Sequence, residues 1–150
     1  MALRWLATLL VFFGAIAPAL ANTALFEQIE AKSGKLLTLE QKYQLSKAIK
    51  AYTDLQRERD ELLVGEASRL TLLPPQQIYL LVQQGSGLVP KIEALLKRKL
   101  PAGDAQQLRA AEATHKAALQ AGREKLVNRV AAIGSLPAPT VLEILPKFGL

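Results

Sequence analysis

Residues 37–63 read LTLEQKYQLSKAIKAYTDLQRERDELL. Along this stretch Leu45, Ile49, Tyr52, Leu55, Leu62 and Leu63 recur at three- and four-residue steps. That spacing gathers side chains on one edge of an α-helix. Lys42, Lys47, Lys50, Arg57, Glu58 and Asp60 fall on its other faces. Thr38 with Gln41 after it makes a capping-box pattern, in which each side chain serves the other's backbone N–H. A long helix opening here is predicted. Pro74-Pro75 must end it and can open the next, because proline lacks an N–H and suits a first helical turn.

A second long helix is predicted where Leu108, Ala111, His115, Leu119, Gly122, Leu126, Val130 and Ile133 form a comparable stripe. Asp104 is placed to cap it, with Gln107 in the third position. Its stripe is rich in Ala and Gly, so a neighbour can approach closely. Gly85-Ser86-Gly87 reads as a flexible break, and Pro101-Ala102-Gly103 separates a short basic helix from the second long one. Gly134 and Pro137 end that helix. The tail, with Pro137, Pro139 and Pro146, is expected to form a short helical turn around Val141–Leu145 flanked by irregular chain. No segment alternates apolar and polar residues as a strand would. The expected fold is all-α: a hairpin or bundle of two long helices plus short ones.

Laying residues 25–86 over 88–150 gives a run of matches. At a spacing of 63 residues, Leu25, Ile29-Glu30-Ala31, Leu37, Gln44-Leu45 and Ala48 fall on Leu88, Ile92-Glu93-Ala94, Leu100, Gln107-Leu108 and Ala111. One inserted residue then pairs Gln56, Arg59 and Leu62 with Gln120, Arg123 and Leu126. The first spacing returns at Leu73-Pro74 and Leu136-Pro137, with Ile78 on Val141. An internal duplication is one reading, and chance in a Leu/Ala-rich chain is the other.

The N-terminal residues 1–21 read as a cleavable signal peptide. Arg4 is its positive region, Trp5 to Ile16 its apolar core, Pro18 the break, and Ala19-Leu20-Ala21 the cleavage site. The mature protein would then be a single helical domain, 22–150. The alternative, an uncleaved anchor, needs about 20 apolar residues, more than this core provides. The chain has no Cys, so it must hold by packing even in an oxidising compartment. Nineteen Lys/Arg stand against thirteen Asp/Glu; without Arg4 the excess is near +5, which suits anionic lipid headgroups or acidic protein patches.

Catalytic, metal and cofactor sites are not expected. His115 is the one histidine and reads as a half-buried packing residue with one hydrogen bond. A soft-metal site needs several His or Cys ligands. A triad of Ser46, His115 and Asp54 has no sharp turn to carry it. Glu58, Asp60, Glu61 and Glu66 interleave with Arg57, Arg59 and Arg69, the pattern of a solvated helix face. The densest charge is Lys97-Arg98-Lys99, with Lys91 before it and Ile92, Leu95, Leu96 and Leu100 beside it. Residues 88–100 therefore form a short basic amphipathic segment. Lys91, Leu95, Leu96, Lys97, Arg98 and Lys99 are its candidate partner-binding residues, suited to an acidic partner or an anionic membrane surface. The ordinary alternative is a helix end whose dipole favours cations. Nucleic acid is not expected, for want of aromatic platforms beside the cations.

Leu37-Thr38-Leu39-Glu40-Gln41, opening a long charged helix, resembles the LTxxQ motif of the Spy/CpxP family. Leu100-Pro101-Ala102-Gly103-Asp104-Ala105-Gln106 takes the corresponding place in the second half, with Pro for Thr and two more residues before Gln. Leu72-Leu73-Pro74-Pro75-Gln76 is a further echo. The resemblance implies a periplasmic helical dimer, an ATP-independent chaperone or envelope-stress regulator holding unfolded clients in a basic, partly apolar cradle. The expectation is thus an exported binding protein, chaperone-like, with a protein partner or unfolded client and a homodimer as its assembly. An accessory subunit of an envelope complex and a lipid-binding surface protein are the alternatives. Enzyme activity is not expected.

Overall fold

The computed structural model describes residues 22–150; the leader read in residues 1–21 lies outside them. Helix α1 covers residues 22–33. It is followed by α2 (Leu39–Thr71), α3 (Pro75–Gln83), α4 (Leu88–Leu96), α5 (Ala102–Gly134), α6 (Ala138–Ile144) and a 3-10 turn, Leu145–Phe148. No strand occurs among the described residues. The protein is all-α, built from two long helices and several short ones.

The start of α2 is the capping box read from the sequence. Gln41 N–H donates to Thr38 Oγ1 at 3.1 Å, and Thr38 N–H donates to Gln41 Oε1 at 2.9 Å. These bonds satisfy two of the N–H groups that a helix start leaves without partners. At the other end Leu72 turns left-handed, with φ 60°. Ser68 Oγ then donates to Leu73 O at 2.6 Å before Pro74-Pro75 redirects the chain.

Three expectations need correction. Helix α5 begins at Ala102, so Asp104 stands inside the first turn rather than capping it. The Pro101 carbonyl already accepts the Ala105 N–H at 2.9 Å, and Asp104 instead offers its charge to the positive end of the helix dipole. The tail is more helical than its prolines suggest. Pro139 falls in the first turn of α6 and Pro146 near the start of the 3-10 turn, where proline's missing N–H costs nothing. Leu62 is 57% exposed, whereas Leu63, Val64 and Ala67 are buried. Leu63 lies about three turns past Tyr52 at 3.6 residues per turn, and Leu62 falls off that line.

Helix bounds repeat at one spacing. Helices α2 and α5 are each 33 residues long, and α5 starts 63 residues after α2, as α6 does after α3. Left-handed residues follow the same interval: Gly34 and Lys97, then Leu72 and Ser135. So do the buried pairs Leu63 and Leu126, and Val64 and Val127. No inserted residue is needed in mid-helix, where it would rotate the following stripe by about 100°.

The chain gathers into two compact units, one running to Lys50 and resuming at Lys125–Leu150, the other Ala51–Glu124. In the first, Leu25, Ile29, Leu45, Val130, Val141 and Leu145 are shut off from solvent. Gln41 Nε2 donates to the Ile133 carbonyl at 3.1 Å, tying the start of α2 to the end of α5. Gly134 is buried there, because a Cβ would stand 2.8 Å from Ile29 Cγ2. In the second unit, Leu63, Val64 and Ala67 of α2 pack with Ile78, Leu88, Ile92 and Leu108. Gly122 admits Leu55 and Tyr52, and a Cβ there would collide with Leu55 Cδ2.

Candidate functional site

The six candidate partner-binding residues lie on α4 and in the turn after it, within the second unit, and the structure divides them. Lys91 points inward. Its Nζ donates to Gly85 O at 2.7 Å, just past the end of α3, and to Leu81 O at 3.5 Å, a carbonyl that also accepts the Gln84 N–H. Leu96 packs against the core. The apolar edge of α4 is spent in the same way, with Leu88, Val89 and Ile92 all buried, so α4 cannot lay that edge on a membrane.

What remains outside is Leu95, 48% exposed, with Lys97, Arg98 and Lys99. The end of α4 is a Schellman motif. Arg98 N–H donates to Glu93 O at 3.3 Å and Lys97 N–H to Ala94 O at 3.4 Å. Lys97 itself takes the left-handed position, φ 54°, where glycine is usual. The turn projects Lys97 and Arg98 at the rim of a shallow depression lined by Pro90, Glu93, Ala94 and Lys99. Glu93 anchors it. Its carboxylate pairs with Lys99 Nζ at 2.9 Å and accepts the Leu100 N–H at 3.1 Å. Lys99 first, then that N–H, holds the Glu93 carboxyl below its ordinary range.

The same unit contains a polar junction that joins three helices. His115 Nε2 meets Asp60 Oδ1 at 2.8 Å, and Gln83 Nε2 donates to Asp60 Oδ2 at 3.1 Å. The side chains of His115 and Asp60 are only 15% and 20% exposed. His115 is thus half-buried with one side-chain partner. Asp60 leaves the solvated face assigned to its cluster, while Asp54 with Arg57 and Glu66 with Arg69 pair along that face. Nothing in the sequence marks Asp60 and His115 as partners across 55 positions; the stripe position of His115 is the one hint. Among the described residues, no group of three or more His, Asp or Glu is placed to hold a metal ion.

Sequence patterning passes over the most exposed apolar side chains. Leu36, Leu39 and Leu72 are 85%, 88% and 89% exposed, and Tyr43, Leu80 and Leu142 are also largely outside. No described helix is long and apolar enough to cross a membrane. Compared with models of known families, with curated proteins and with solved structures, the chain matches none.

Proposed function

We propose that this chain is an exported, periplasmic binding protein that holds a polypeptide partner or unfolded client in a chaperone-like manner. It does so through exposed leucines on a basic chain, without a catalytic centre. The observation that carries this reading is the placement of Leu36, Leu39 and Leu72, each more than four-fifths exposed beside filled cores. Burying a leucine is worth about 1.5–3 kcal/mol, so each leucine held in water is area that a bound partner can still cover. The LTxxQ resemblance supports the same side. Thr38 and Gln41 are consumed in building the helix start, Leu37 is buried, and Leu39, at a variable position of the motif, is turned outward. The matched helix bounds further support an internally duplicated unit.

The test is light scattering of a chemically unfolded client during dilution, with this protein at equimolar amounts. Suppressed aggregation is expected, and it is expected to vanish in a Leu36→Ser, Leu39→Ser, Leu72→Ser variant whose circular dichroism is unchanged. Undiminished aggregation, with no binding of any unfolded chain, would remove the proposal. Recovery of one stoichiometric envelope partner in a native pull-down would replace it with a dedicated accessory role.

A further inference from the structure

The turn after α4 has a counterpart after α1, in the first unit. Glu30 stands 63 residues before Glu93, and Leu37 the same distance before Leu100. The Glu30 carboxylate accepts the Leu37 N–H at 2.9 Å and pairs with Lys42 Nζ at 3.0 Å, as Glu93 does with Leu100 and Lys99. Gly34 is left-handed at φ 67°, as is Lys97 at φ 54°. The helices behind these turns are seated alike, with Ile29 and Ile92 fully buried. Two turns of one build thus occur in one chain.

Their outward side chains also match in kind, and Lys35 and Arg98 keep the same interval. The first corner presents Lys32, Lys35 and Leu36, all exposed. The second presents Lys97, Arg98 and Leu95, all exposed. None of these four cations belongs to the ion pairs that hold the turns, which are made by Lys42 and Lys99. Each corner therefore combines two uncommitted positive charges with one leucine in water.

We infer that these two corners are equivalent docking points for acidic polypeptide segments carrying apolar side chains, so that each chain takes two. The inference deepens the binding role proposed above and rests on it. Charge complementarity chooses the occupant: carboxylates answer the free cations, and an apolar neighbour covers the leucine. A lipid surface fits less well, since it would need a broad apolar face, and both short helices have turned theirs inward, at Leu25 and Ile29 in α1 and at Leu88 and Ile92 in α4.

The experiment is calorimetric titration of the full protein with a short peptide of glutamates and leucines. Two peptides per chain are expected, with affinity falling as salt rises. The variant K97E/R98E is expected to halve the stoichiometry, K32E/K35E to halve it independently, and the fourfold variant to abolish binding. The corresponding glutamine variants repeat the set, should charge reversal disturb folding by circular dichroism. A single site, or binding that survives the fourfold glutamine variant, would overturn the inference. So would anionic vesicles binding where the peptide does not. If the peptide fails while an unfolded client is still kept from aggregating, the two-corner inference falls alone; if both fail, the binding role falls with it.

Discussion

Glu30 and Glu93 each serve a backbone N–H and a lysine at once, and both carboxyls are held below the ordinary glutamate value of 4.5. For Glu30 the Leu37 N–H is the larger cause, followed by Lys42; for Glu93 it is Lys99, followed by the Leu100 N–H. A carboxyl whose folded value lies below its unfolded one stabilises the fold fully above the unfolded value, and that contribution is lost as pH falls through the folded value. Acidification from above the ordinary glutamate value to below it is therefore expected to lower the thermal midpoint. The double variant Glu30→Gln, Glu93→Gln should show a flatter slope over that window. Glu66, held low by Arg69, leaves a residual slope. An equally steep profile in the double variant would show that these turns do not depend on the charged form.

Leu72 is a second residue whose backbone sets its energetics. Its φ of 60° places a branched side chain in the left-handed region, at a cost of roughly 1–2 kcal/mol. With 89% of the side chain exposed, little packing offsets that cost. Leu72→Gly is expected to stabilise by about 0.5–1 kcal/mol, the strain relieved less the entropy that glycine adds to the unfolded chain. Urea unfolding decides it, and a loss of stability would mean that Leu72 makes a contact of value.

Within α2, the register of the buried edge is open to a paired measurement. Leu63 is 4% exposed and Leu62 57%. Leu63→Ala should cost about 2–5 kcal/mol, while Leu62→Ala should stay within about 0.5 kcal/mol. Equal costs would overturn the orientation of the helix. At its start, Thr38→Ala removes one half of the capping box, and about 1 kcal/mol is expected to go with it. The other half stays, because Gln41 Oε1 accepts a backbone N–H that alanine keeps, and the Gln41 amide continues to hold the Ile133 carbonyl.

Across the whole chain, helices were legible where apolar residues kept a helical step and proline marked the ends. Pro74-Pro75 bounded α2 and α3 correctly because a missing N–H is a local fact. The tail was misread for a related reason: proline stops a helix from within yet is tolerated at its start, and the sequence does not say which applies to Pro139 or Pro146. Lys91 was beyond sequence reading, because the groups it serves are the carbonyls of Leu81 and Gly85, and backbone carbonyls leave no trace in residue identity. The Asp60–His115 junction was hidden by distance along the chain. Of the six proposed partner residues, Leu95, Lys97, Arg98 and Lys99 remain outside and Lys91 and Leu96 serve the fold.

Glu112 of α5 accepts the Gly87 N–H at 2.6 Å and lies 3.3 Å from the Leu88 N–H, so it grips the connector Gly85-Ser86-Gly87 where α4 begins. A glycine-serine hinge left to itself exchanges its amide hydrogens quickly and is the first place a protease cuts. Here the Gly87 amide should resist deuterium, and nicking should wait until Glu112 is replaced by alanine. A segment composed like a loose tether would then behave as a latch.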